Sequence, residues 1–223
     1  MGLFGKLFQS KKENERLNDP HFVIQDDLKV SPEKYGKIVC DWSLKTASGS
    51  TDSVLDLVSA GENELGIRMR GNPSFLTLIL LAAGIAVYRS HPIFAIGIPK
   101  QESDKISAAV HTWIDENLKM DGKPLDEEVR QWTHYCIQGA SIRFLQDLMS
   151  DATLNFHPMH QTTKFLCEIA LETYQRPSDS ESHVALAHSA LEHMFGLQIQ
   201  TTHEAIQKVV NLKYVGPTNR VDT

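Results

Sequence analysis

The feature that most constrains the fold is a run of 13 mostly apolar residues, FLTLILLAAGIAV, from Phe75 to Val87. A bilayer-spanning helix needs about 20 such residues, so we predict that this run is a helix buried in the core of a soluble protein. Asn72 and Pro73 precede it and are typical of a helix start, because proline at the first helical position has no N–H group to leave unsatisfied. We expect this helix to be the central element and to end near Tyr88 to Ser90, before Pro92.

Start signals for further helices occur along the whole chain, as polar capping residues followed by apolar residues at a spacing of three and four. These candidate starts are Ser31, Ser103 or Asp104, Asp126, Thr162 or Thr163, Ser178 and Thr201. We expect the longest helix to begin at Asp126 and the penultimate helix to end at Gly196. The sequence therefore predicts a mainly α-helical fold, a multi-helix bundle whose C-terminal half is built around the helices that contain Trp132 and His188.

Two short segments of the N-terminal half have the pattern of strands rather than helices. Apolar and other residues alternate from Leu65 to Arg70, and Ile93 to Ile98 is an apolar run between prolines. Such segments favour β structure. We predict a short two-stranded β element near residues 65–98.

Composition divides the chain into three parts. Residues 1–20 are an amphipathic segment and a linker, residues 21–214 a single mainly helical domain, and residues 215–223 a polar tail that we expect to be flexible. A subdivision of the domain near residues 100–125 is the alternative. The polar run from Thr46 to Thr51 is predicted to be a further linker.

The N-terminal segment has one apolar face. Leu3, Phe4, Leu7 and Phe8 would share it in a helix, with lysines nearby. Such a segment docks into the groove of a partner or lies on a membrane surface. The alternative is that it packs on its own domain or stays disordered, because so short a helix is marginal alone.

Arg68 and Arg70 alternate on one side of the first predicted strand and could bind an acidic segment of a partner. The simpler interpretation is a solvated strand edge that is protected by its charges.

Catalytic and metal-binding motifs are missing from the sequence, including those of nucleotide-binding proteins, serine hydrolases and zinc proteases. His188 and Glu192 are one helical turn apart, a spacing that can place two ligands on one metal ion. We interpret His188 instead as a core residue beside Leu191 and Phe195, and Cys136 as inert packing within an apolar helical face. The sequence predicts no catalytic residue, metal or cofactor.

The formal charge of the chain is -6, and its 22 Lys and Arg residues are scattered. Nucleic-acid binding needs clustered positive charge, so we predict protein partners and no nucleic acid. Cys40, Cys136 and Cys167 are far apart and lie in apolar surroundings, which favours free thiols in a reducing compartment. Because residues 1–12 also lack the pattern of a secretory signal, we expect a cytoplasmic protein.

The opening MGLFGKLF, followed by lysines, resembles the start of many bacterial peripheral cytoplasmic proteins over less than a tenth of the chain. In size and helical style the whole chain resembles the small helical accessory subunits of the coupling complex in Dot/Icm-type IV secretion systems. The resemblance carries over no functional residue. It implies a cytosolic subunit that stabilises an effector-recruiting platform at the inner membrane.

We therefore predict a non-enzymatic adaptor or accessory subunit of a bacterial multiprotein assembly, with other protein subunits as partners. Its N-terminus would supply a peripheral contact with the inner face of the inner membrane. Two alternatives stay open at the level of sequence. One is a metal-dependent enzyme that uses the C-terminal histidines, and the other is an effector or immunity-type protein with one cognate partner.

Overall fold

The computed structural model describes residues 19–24, 28–65, 73–120, 122–150, 160–174, 181–206 and 212–216. Within these ranges the helices are α1 (Pro32–Leu65), α2 (Pro73–His91), α3 (Lys100–Asn117), α4 (Glu127–Ser150), α5 (His160–Tyr174) and α6 (Glu181–Ala205). The strands are β1 (His21–Ile24), β2 (Leu28–Val30), β3 (Lys119–Met120), β4 (Lys123–Pro124) and β5 (Lys213–Val215). The prediction of a mainly α-helical, multi-helix fold is confirmed.

α2 is the centre of the fold, as its composition predicted. It packs against α1, α4 and α6, and its side chains from Leu78 to Tyr88 are buried on every side. By length and composition alone, Phe75–Ile96 could cross a membrane, but 72% of its most apolar window is buried inside the protein. That burial supports a core helix. The helices that contain Trp132 and His188, α4 and α6, both pack on α2 and on α5.

The segment that follows α2 is helical, so the predicted strand from Ile93 to Ile98 is wrong. A π-helical turn, Pro92–Ile96, continues α2, and the N–H group of Gly97 bonds to the carbonyl oxygen of Pro92. Proline fits at the start of this turn because it needs no N–H donor there, and Gly97 ends the turn with a φ of 71°. The other predicted strand lies outside the described residues, except that Leu65 is the last residue of α1.

The strands that do form join the two ends of the described chain. β1 pairs with β2 and with β5, antiparallel in both cases, and Val215 lies opposite His21. Val215 thus belongs to a strand, while residues 217–223 of the predicted tail lie outside the described ranges. The ring of Phe22 is fully buried and stacks on Tyr35 of α1, with ring centroids 4.7 Å apart. This contact fixes the small sheet to the helical core.

α1 is continuous where the sequence predicted a linker. The hydroxyl of Thr46 donates to the carbonyl oxygen of Trp42 at 2.9 Å, and that of Thr51 donates to the carbonyl oxygen of Ala47 at 2.8 Å. Polar side chains that bond back to the preceding turn are compatible with a helix. With 34 residues, α1 is also the longest described helix. The prediction that the longest helix begins at Asp126 is therefore wrong.

Some of the predicted helix boundaries are confirmed and others are wrong. Asp126 precedes α4 and its Oδ1 accepts a hydrogen bond from the Val129 N–H group at 2.9 Å, as a capping residue does. α3 begins at Lys100, directly after Pro99, rather than near Ser103. α6 passes through Gly196 and continues to Ala205, so the capping pattern at Thr201 starts no new helix.

The start of α5 is set by a residue of α4. The carboxylate of Asp147 accepts hydrogen bonds from the backbone N–H groups of Gln161 and Thr162, at 3.0 and 2.9 Å. These N–H groups belong to the first turn of α5, where they have no partner within the helix. A cap supplied by a different helix leaves no local pattern, and the sequence placed the start at Thr162 or Thr163 instead of His160.

Candidate interaction surface

The residues that the sequence proposed for docking lie outside the described part of the chain. They are Leu3, Phe4, Leu7, Phe8, Arg68 and Arg70. Their assignment to a partner or a membrane stays a prediction.

His188 and Glu192 are adjacent on α6, but they do not form a metal centre in the described residues. The His188 Nδ1 atom lies 3.9 Å from the Glu192 Oε2 atom, and both side chains are more than a third exposed. No group of three potential His, Cys, Asp or Glu ligands occurs in the ranges that the structure covers. The prediction of a core His188 is wrong, because the buried face of α6 is formed by Leu191 and Phe195 and His188 lies at its edge.

Cys136 is fully buried, as its place in the apolar face of α4 predicted. Burial raises the pKa of its thiol to about 12, because the thiolate would be poorly solvated there. The thiol is therefore protonated at neutral pH and is a poor nucleophile. Cys40 and Cys167 are likewise buried and free.

A histidine pair that sequence reasoning missed joins α3 to α4. The rings of His111 and His134 are stacked with centroids 4.5 Å apart, and the His134 Nε2 atom lies 3.0 Å from the Asp115 Oδ1 atom. Burial is the main cause that lowers the pKa of His111, and the neighbouring His134 lowers it further. A carboxylate can orient an imidazole for proton transfer, but Cys136 is two residues from His134 and faces another side of α4. The two histidines therefore cannot activate the Cys136 thiol as a nucleophile.

From Gln131 to Ser150, the solvent side of α4 carries large apolar side chains and no fully exposed charged residue. The exposed fractions of Tyr135, Ile142 and Met149 are 58%, 48% and 69%. Gln138 and Gln146 are exposed between them. We call these five residues the α4 face.

Of the two charged residues between Gln131 and Ser150, Arg143 is half-buried and Asp147 is buried. The guanidinium of Arg143 lies over the ring of Phe165, 3.9 Å from its centroid. The carboxylate of Asp147 is bound at the start of α5. Five turns of a surface helix therefore present no fully exposed charged residue to water.

This composition is typical of a protein interface. The cores of interfaces are depleted in charged residues and enriched in aromatic residues and Met, whereas a solvated helix face usually carries Glu and Lys. The other large exposed apolar residues in the described ranges, Phe94, Leu197 and Val215, belong to three different elements. Single exposed apolar residues are common, but a contiguous stripe marks a contact surface.

Comparisons with protein-family models, with curated proteins and with solved structures give no match.

Proposed function

We propose that the protein is a non-enzymatic adaptor or accessory subunit of a bacterial multiprotein assembly, and that it binds protein through the α4 face. The observation that carries the proposal is the exposure of Tyr135, Ile142 and Met149 on a part of α4, residues 131–150, that has no fully exposed charged residue. An uncharged apolar stripe loses little hydration on contact and gains from the burial of its side chains.

The size of this gain indicates what kind of complex to expect. Full burial of a large apolar side chain contributes ~1.5 to 3 kcal/mol, and between about a third and a half of each of these three residues is already covered. Covering the rest would add roughly 3 kcal/mol in total, before the cost of association is subtracted. The α4 face alone therefore supports weak binding, which suits a subunit that makes several contacts in a larger assembly.

The N-terminal segment supports a proposal for where the assembly lies. The apolar face of Leu3, Phe4, Leu7 and Phe8 would supply a second contact, with another subunit or with the inner face of the inner membrane. A cytosolic subunit of a secretion platform, as the resemblance implies, would need both contacts.

The test compares Ile142→Lys with Leu197→Lys, because the two side chains are similarly exposed, at 48% and 54%, on different helices. Each tagged full-length chain is purified from native cells, and the proteins that accompany it are quantified by mass spectrometry. We expect Ile142→Lys to lose stoichiometric partners that Leu197→Lys and the wild type retain. Both variants should unfold within ~0.5 kcal/mol of the wild type, since neither residue is in the core.

Retention of the same partners by all three chains would contradict a role for the α4 face. Met149→Lys repeats the test at a second position of the face.

A further inference from the structure

The exposed residues of α4 are arranged symmetrically about Ile142. Four residues from Ile142 in either direction along the helix there is a glutamine, and three residues beyond each glutamine there is a large apolar residue. These are Gln138 and Tyr135 on one side, and Gln146 and Met149 on the other. Within residues 135–149, all of which the structure describes, these five are the exposed positions.

We propose that the α4 face binds the α4 face of a second copy of this chain, with the two helices antiparallel and the two Ile142 side chains at the two-fold axis. The inference rests on the proposed function and names the partner of the same surface. Twofold interfaces are self-complementary, since each contact between two residues is made twice. A stripe that reads alike in both directions meets this requirement, whereas binding to an unrelated partner would not need the symmetry.

The residues that this alignment places opposite each other are chemically matched. Tyr135 meets Met149 of the second copy, and a thioether sulfur packs favourably against an aromatic ring. Gln138 meets Gln146 of the second copy, and each amide has both a donor and an acceptor, so either can satisfy the other. Contact residues spaced by three and four positions are typical of two helices that pack side by side with their axes nearly aligned.

Electrostatics favour this face over other approaches between two copies. Each chain has a formal charge of -6, so most orientations bring like charges together. The α4 face places no charge against its counterpart, because Arg143 is held over Phe165 and Asp147 at the start of α5. The α4 face itself therefore adds no direct charge repulsion between two copies.

The expected dimer is weak. The stripe from Tyr135 to Met149 is about 21 Å long at 1.5 Å per residue, and a contact of one helix with one helix lies at the small end of specific interfaces. Because the cost of association offsets much of the gain from burial, we expect a dissociation constant on the order of 0.1 to 1 mM. The dimer would form at high local concentration, as on an assembly platform.

Sedimentation velocity of the full-length chain over this concentration range tests the association. We expect the wild type and Leu197→Lys to shift from monomer to dimer, and Ile142→Lys and Met149→Lys to remain monomeric, all four with native circular dichroism. A wild type that stays monomeric throughout, or a dimer that neither α4 substitution weakens, would overturn the proposal. So would a large drop in the denaturation midpoint of monomeric Ile142→Lys, because the chain itself would then cover the face.

Disulfide trapping tests the antiparallel register. Under oxidation, Ile142→Cys alone should give a covalent dimer, and Tyr135→Cys chains should cross-link to Met149→Cys chains when the two are mixed. Tyr135→Cys alone and Leu197→Cys alone should not cross-link. Efficient cross-linking of Tyr135→Cys to itself would indicate parallel helices and overturn the proposed arrangement.

The two proposals fail separately. If the wild type is monomeric at all concentrations and Ile142→Lys still loses a co-purifying partner, the dimer is refuted and the proposed function stands. If Ile142→Lys abolishes the dimer but leaves every other partner bound, the dimer is supported. The α4 face is then not a contact with other subunits.

Discussion

The buried carboxylate of Asp147 holds the first turn of α5 against α4. Its Oδ1 atom accepts from the Gln161 N–H group at 3.0 Å, and its Oδ2 atom accepts from the N–H and hydroxyl groups of Thr162 at 2.9 and 2.7 Å. Asp147 is 6% exposed, so water has little access to these groups if the carboxylate is removed. Asp147→Ala should therefore destabilise the protein strongly.

The magnitude follows from the three contacts. Loss of a capping side chain costs ~0.5 to 2 kcal/mol, and each buried polar group left without a partner costs ~1 to 3 kcal/mol. Because these terms overlap, we expect Asp147→Ala to lower the free energy of unfolding by about 2 to 4 kcal/mol. Asp147→Asn keeps one acceptor oxygen and should cost about half as much, since hydrogen bonds to a charged group are stronger.

Urea denaturation followed by circular dichroism measures both variants against the wild type. Glu116→Ala, which removes an exposed carboxylate from α3, is the matched control and should be nearly neutral. If Asp147→Ala also stays within ~0.5 kcal/mol of the wild type, the cap does not stabilise α5 and the reasoning is refuted.

Three further changes test the packing. Gly36→Ala should destabilise the protein by ~1 to 3 kcal/mol in the same denaturation assay, because the added Cβ would lie 2.7 Å from a backbone carbonyl oxygen of α3. Gly49 has open space around it, so Gly49→Ala should stabilise the protein by up to ~1 kcal/mol. Burial lowers the pKa of His91 to about 4, so below about pH 6.5 the unfolded chain takes up a proton that the folded chain does not. The free energy of unfolding should fall between about pH 6.5 and 4, by at most ~3 kcal/mol, and His91→Gln should weaken this dependence. Trp132→Ala removes a half-buried ring that packs edge-on against Phe75 at 5.3 Å, and should cost ~2 to 3 kcal/mol by chemical denaturation; a neutral result would place Trp132 outside the core.

The parts of the fold that the sequence predicted correctly depend on local composition. α2 was predictable because a helix that is apolar on all sides must be buried, and α4 because Asp126 caps it in a recognisable pattern. The start of α5 was missed because a residue of another helix, Asp147 of α4, caps it. The strand error has a local cause. Ile93 to Ile98 has the apolar composition of a strand, but Pro92 and Gly97 frame a helical turn there.

The α4 face left a signal in the sequence that could have been used. Tyr135, Ile142 and Met149 are seven residues apart and so lie on one side of a helix. Knowing that this side faces solvent required the structure, because Cys136 and Phe144 form an apolar face of similar character that packs on the core. The pairing of His111 with His134 left none, since the two residues belong to different helices.

Photo-cross-linking in native cells tests most directly whether the α4 face binds protein. The residue p-benzoylphenylalanine is placed at position 142, and at position 197 as the control. We expect a prominent adduct at position 142 and none at position 197. If a second copy is the partner, the adduct has about twice the 25.0 kDa mass of the chain. The absence of an adduct at position 142, or the same adducts at both positions, would contradict the proposed role of the α4 face.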